Sequence, residues 1–168
     1  IQGNPLFTFL GSMPAGLELY NQERLGHELA FEGIRDPFFT ADSEVQDDLR
    51  FERGFSVALR QKFYNEANFG MWYFGHFLKY AGLNYYVNMV NEISPATAAE
   101  KKYEYGVLFG TRLMNKNDGD GFTVDAFVGY GVGYKAVTVD AGFEPFFKSL
   151  DKNHFSQSFQ IGLNFGFS

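Results

Sequence analysis

The stretch FTVDAFVGYGVGY, Phe122–Tyr134, decides how this chain is read. Its even positions are Phe122, Val124, Ala126, Val128, Tyr130, Val132 and Tyr134. Its odd positions are Thr123, Asp125, Phe127, Gly129, Gly131 and Gly133. Strict alternation over this length predicts a strand with two unlike faces, because successive side chains point to opposite sides of a pleated backbone. One face is wholly apolar. The other is small apart from Phe127, with a single charge. A strand of a water-soluble sandwich would turn long polar or β-branched residues to solvent, and glycine only weakens it there. Small residues mixed with a charge describe a cramped interior, which leaves the apolar face pointing outward.

The same pattern recurs. Between Arg24 and Ile34 the odd positions are Leu25, His27, Leu29, Phe31 and Gly33, against Gly26, Glu28, Ala30 and Glu32. Phe55, Val57, Leu59, Gln61 and Phe63 alternate with Gly54, Ser56, Ala58, Arg60 and Lys62. Tyr103, Tyr105, Val107, Phe109, Thr111 and Leu113 alternate with Glu104, Gly106, Leu108, Gly110 and Arg112. The closing FQIGLNFGFS, Phe159–Ser168, sets Phe159, Ile161, Leu163, Phe165 and Phe167 against Gln160, Gly162, Asn164 and Gly166. Apolar-out, polar-in strands are the signature of a membrane β-barrel, where lipid lies outside and a polar lumen inside.

The expected fold class is therefore all-β: an eight-stranded antiparallel transmembrane β-barrel with a polar, filled lumen, built as a single domain over residues 1–168. The strands are placed at about Gly3–Leu10, Ala15–Tyr20, Arg24–Ile34, Phe51–Phe63, Gly70–Met89, Lys102–Met114, Phe122–Thr138 and His154–Phe167. Short connections at Asn21–Glu23, Asn65–Asn68 and Asn115–Gly121 alternate with long ones at Arg35–Arg50, Val90–Lys101 and Val139–Asn153. That alternation suits periplasmic turns and extracellular loops. Leu6–Tyr20 also fits one bulged strand, in which case parity calls for another strand within Gly142–Ser149. In the strand from Gly70, Trp72, Phe74, His76, Leu78 and Tyr80 share the outward face. The outward phase is expected to shift to Ala81, Leu83, Tyr85 and Val87 through a bulge near Tyr80–Gly82.

Bulk properties agree. The chain has 168 residues, no cysteine, and a formal net charge of −6, which argues against a nucleic-acid partner. Aromatic residues reach 19 %, with 21 Phe and 10 Tyr beside 19 Gly. Mean hydropathy is −0.22, and no apolar run reaches the roughly 18 residues of a membrane helix. Barrel strands escape such a scan because only every other residue faces lipid. The sequence opens at Ile1-Gln2-Gly3 rather than on a charged and apolar leader, as expected of an exported chain that has already lost one.

Several patches in order carry a resemblance: NPLF (Asn4–Phe7), GLELYNQ (Gly16–Gln22), GFSVALRQKFY (Gly54–Tyr64), GMWYFGHFLKY (Gly70–Tyr80), FTVDAFVGYGVGY and the closing strand. Together they resemble a family of small outer-membrane barrels of unknown function, of Bacteroidota type, and more broadly the OmpA/OmpX-like transmembrane barrels. The resemblance implies an integral, multi-pass protein of a Gram-negative outer membrane, in contact with outer-membrane lipid and lipopolysaccharide. It supplies no catalytic residue. Such barrels end on an aromatic residue; here Ser168 follows Phe167.

The inward charges are Glu18, Glu28, Glu32, Glu104 and Asp125 against Arg60, Lys62 and Arg112, with Lys79 and Lys135 as further candidates. An eight-stranded barrel is only wide enough for its own side chains, and buried charges must be paired. We therefore expect a lumenal salt-bridge network, with Arg60 paired to Glu28 or Glu32, rather than a proton or ion path. His154 and Ser156 share a face and match the His-x-Ser of lipid A deacylase barrels. No acid follows to orient the histidine, so His154 is read as an interface residue at a loop edge. His27 and His76 fall on lipid-side positions, suiting the membrane interface or contact with another protein. The three histidines have no metal-ligand spacing, and the acidic loop Arg35–Arg50 has no EF-hand pattern, so neither metal nor cofactor is expected. Phe38, Phe39, Phe146 and Phe147 in the long loops, with Trp72 and Phe74, are candidate partner or interface contacts.

The expected role is non-enzymatic: a structural membrane component, or an accessory subunit of a larger outer-membrane protein complex. A lipid-modifying barrel enzyme, a narrow pore and a soluble lipocalin-like barrel are the rivals.

Overall fold

The computed structural model describes residues 2–3, 12–21, 24–34, 49–65, 71–87, 96–114, 122–147, 150 and 154–167. They form one antiparallel sheet: the two-residue β1 (Gln2–Gly3), then β2 (Ser12–Asn21), β3 (Leu25–Ile34), β4 (Leu49–Tyr64), β5 (Met71–Val87), β6 (Ala96–Met114), β7 (Phe122–Val139) and β8 (His154–Phe167). Each strand pairs with the next in sequence. β1 pairs with β2 through Gln2↔Gly16 and with β8 through Gln2↔Gly166. Most of the expected first strand, Gly3–Leu10, lies outside the described residues. The alternative of a strand within Gly142–Ser149 does not hold for Glu144–Phe147, which form a 3-10 turn. Gly142 leads into it with φ of 90°, a backbone conformation that favours glycine.

The sheet curls until its buried face meets itself. Glu18 on β2 reaches Arg112 on β6, and Lys62 on β4 reaches Asp125 on β7. The exposed face is the apolar one. Leu29, Phe31, Leu59, Phe63, Trp72, Leu78, Val107, Phe109, Val128, Tyr130 and Phe159 are all exposed. Aromatic rings run across it from strand to strand. Phe31, Phe55 and Tyr80 follow one another at 6.5 and 5.8 Å between centroids. Tyr80 is 5.1 Å from Tyr103, Tyr103 is in register with Tyr134, and Tyr134 lies 6.0 Å from Phe155.

The buried face is filled by alternating large and small residues. One register row runs Tyr73, Gly110, Phe127, Gly162; the next runs Gly75, Leu108, Gly129, and the one after it Phe77, Gly106, Gly131. The Phe127 ring lies where a Cβ on Gly162 would project, and the Phe77 ring fills the space over Gly106 and Gly131. Tyr64, Tyr73, Phe77, Leu108 and Phe127 form one buried cluster here. These glycines are thus consequences of packing: Gly106 and Gly162 make room for a ring on the adjacent strand, and Gly131 for one two strands away.

Two expectations are corrected. The outward phase of β5 does not shift at Tyr80–Gly82. Pairing with β6 is unbroken from Met71 to Val87, and Ala81, Leu83, Tyr85 and Val87 stay buried. The irregularity sits instead between Phe51 and Arg53 on β4. Glu52 and Arg53 are both exposed there, while Phe51 turns to pack against the core. The reason lies at the end of the sheet away from the short turns. There the buried face changes from charged to apolar: Leu83, Tyr85, Val87, Ala96 and Ala98 enclose Phe147 and Leu150. β6 accordingly begins at Ala96, within residues expected to be loop. Asp140 secures this end by accepting a hydrogen bond from Thr97 Oγ1 at 2.7 Å.

Candidate functional site

Six charged side chains converge at the turn end of the buried face. Register explains how. Glu18, Glu28 and Arg60 lie side by side on β2, β3 and β4. Arg112, Asp125 and Asn164 lie side by side on β6, β7 and β8. Lys62 enters one turn-ward position along β4, between Gly26 and Gly75. Two carboxylates directly opposite, as Glu18 and Glu28 are, repel unless cations intervene.

Those cations are present. Lys62 Nζ sits among three carboxylates, 3.2 Å from Glu18, 2.6 Å from Glu28 and 2.7 Å from Asp125. Arg112 pairs with Glu18, and with Asp125 at 3.3 Å. Arg60 pairs with Glu28. Two tyrosines complete the shell: Tyr64 donates its hydroxyl to Glu18 at 2.5 Å, and Tyr73 to Asp125 at 2.6 Å. Lys62 also lies 5.0 Å from the Tyr73 ring centre, Arg112 5.2 Å from Tyr64, and Arg60 5.0 Å from Phe127. Lys62 is 0 % exposed, and Arg112 and Asp125 are each 1 %. Three carboxylates balance three cations, so the cluster carries no net formal charge.

The carboxylate oxygens of Glu18, Glu28 and Asp125 lie within 4.8 Å of one another, near enough to hold a metal ion. The Lys62 ammonium stands among them and supplies the positive charge that an ion would bring. The arrangement therefore fits a permanent internal cation better than an exchangeable one.

A second set lies further along the buried face. Lys79 is 3.8 Å from Glu32, Lys102 2.7 Å from Glu104, and Lys135 3.3 Å from Glu100. Ser56 donates to Glu32 at 3.0 Å. This set is also balanced, three against three. Of the eight charges named from sequence, Glu18, Glu28, Arg60, Lys62, Arg112 and Asp125 are thus brought together, and Glu32 and Glu104 belong to the second set. Sequence reading missed Glu100, which falls in the connection Val90–Lys101, and Lys102, which opens the expected strand but was not named among the inward charges. It also missed Tyr64 and Tyr73, although their position on the inward face was available as a signal.

His154 opens β8 with Ser156 two residues on, on the same face. His154 Nδ1 and Ser156 Oγ are both buried without a hydrogen-bond partner, and His154 is in register with Lys135 rather than with an acid. Trp72 and Phe74 are each 54 % exposed on the outer face, with Trp72 stacked 5.4 Å from Phe109. Phe147 does not hold as an exposed contact. It is 2 % exposed, packed into the apolar end of the sheet. Phe38, Phe39 and the Phe146 side chain lie outside the described residues. No family profile, no curated protein and no solved structure matches this chain.

Proposed function

We propose that this chain is an integral outer-membrane β-barrel of the small OmpA/OmpX-like type, closed through β1 and filled by its own side chains. Its role is non-enzymatic: a structural component of the membrane, or an accessory subunit of a larger outer-membrane assembly. The observation that carries this reading is the inversion of the two faces. Balanced charges are buried, and large apolar side chains are exposed over a continuous surface. A soluble monomer rarely exposes an apolar patch of more than a few hundred Å², whereas a transmembrane barrel requires one.

The dimensions support it. On β6 the exposed apolar run extends from Tyr103 to Leu113. Ten residues of strand cover roughly 33 Å, or about 25 Å of membrane depth at the usual barrel tilt, the height of an outer-membrane apolar band. Pairing of β1 on both its edges supports closure, which removes every unpaired edge from lipid. No helix among the described residues is long and apolar enough to cross a membrane, which says nothing of strands.

A neutral interior crowded by Phe77, Phe127, Leu108 and the ion cluster favours a closed rod over a pore. The test is extraction and gel behaviour. The protein should stay with membranes through carbonate washing, need detergent for release, and run as a compact band unless boiled. Recovery in the aqueous fraction without detergent would contradict the reading. In planar bilayers the reconstituted protein should give no steady conductance.

A further inference from the structure

Among the described residues, the exposed face carries a row of three polar side chains on neighbouring strands. His27, Gln61 and His76 lie side by side on β3, β4 and β5, in direct register. Each is bracketed on its own strand and face by apolar residues: His27 by Leu25 and Leu29, Gln61 by Leu59 and Phe63, His76 by Phe74 and Leu78. The His76 ring stacks on Phe63 at 6.2 Å and lies 5.9 Å from Tyr105. Among the described residues, one side-chain hydrogen bond serves the row, between His76 Nε2 and Gln61 Oε1 at 2.9 Å.

That leaves the Gln61 amide NH2, the second ring nitrogen of His76 and both nitrogens of His27 without a side-chain partner among the described residues. Hydrocarbon offers none, and polar groups left facing lipid are costly. No charged side chain shares the row, so a strongly acidic or basic partner finds no countercharge. What the row does hold is both donors and acceptors, in one amide and two imidazoles. A surface of that kind is self-complementary, the condition for a twofold interface. About such an axis Gln61, in the middle, would meet its own counterpart, with the histidines of each copy flanking it.

We propose that β3–β5 is the contact face of a homodimer within the membrane, centred on Gln61, with a second copy of this chain as occupant. The inference rests on the reading of this face as lipid-facing. The chain has no cysteine, so a single introduced thiol reports position cleanly. Leu59→Cys lies beside the polar row and leaves it intact; Val132→Cys, on β7, serves as the distant control. After oxidation in membranes, Leu59→Cys should give a species at twice 19.1 kDa, at least about ten-fold more abundant than with Val132→Cys. Adding Gln61→Leu and His76→Leu to Leu59→Cys should lower that species about ten-fold while the folded monomer band persists.

Four outcomes would overturn the proposal: a Leu59→Cys monomer, a disulfide to a different protein, equal cross-linking at both positions, or a dimer indifferent to the double substitution. Carbonate washing of the same membranes separates the two claims. Chain lost to the wash would remove the lipid-facing reading and the dimer together; chain retained but monomeric would remove the dimer alone.

Discussion

Lys62 is the residue on which the buried cluster turns. Its ammonium contacts Glu18, Glu28 and Asp125 together, so removing it leaves three carboxylates against two cations in a place closed to water. Breaking a buried ion network by deleting one partner costs about 3–5 kcal/mol, because the remaining charge stays buried and unpaired. Lys62→Met should lower the unfolding free energy of the purified protein by that amount, obtained from urea titrations read by the compact band. Lys101→Met, on the exposed face, should change it by less than about 0.5 kcal/mol. Lys62→Met combined with Asp125→Leu should cost less than the sum of the two single changes, a coupling of about 1–3 kcal/mol in a double-mutant cycle. An additive result would mean that the two side chains act independently. Parity alone identified these inward residues in the sequence, since Glu28, Lys62, Arg112 and Asp125 each interrupt an otherwise small face. It could not reveal that Lys62 meets three strands at once, because that depends on how the sheet curls.

The strand rows carry the packing. Gly106 and Gly131 lie beneath the Phe77 ring, and Gly162 beneath Phe127. Gly106→Val should destabilise by about 1–3 kcal/mol through overpacking. Gly33→Ala, where a Cβ meets nothing within 4 Å, should be close to neutral. Equal tolerance at both sites would remove the case for a tightly filled interior. The strands β3 and β7 were legible because period-two alternation runs unbroken from Leu25 to Glu32 and from Phe122 to Tyr134. The loop end of β5 and β6 was not. There the inward face becomes apolar through Leu83, Tyr85, Val87 and Ala96, and both faces of a strand then look alike to a periodicity argument. What restores the contrast is Phe147, packed against these residues from a distant turn. Phe147→Ala should cost about 3–5 kcal/mol, in the range of large core truncations.

The whole molecule sets two opposite surfaces back to back. Six acids and six bases are matched inside, in two neutral sets, while Phe, Tyr, Leu and Val cover the outside. Neither half makes sense alone: the exposed face would aggregate in water, and the buried charges would be stranded without one another. The measurement that tests this most directly is a spin-label scan of Phe122–Tyr134, one cysteine at a time, in lipid bilayers. The account predicts period-two alternation. Labels at Val124, Val128, Tyr130 and Val132 should collide preferentially with dissolved oxygen, which concentrates in lipid, and show little access to a water-soluble nickel chelate. Greater nickel access than oxygen access at those even positions would place them in water and contradict the account.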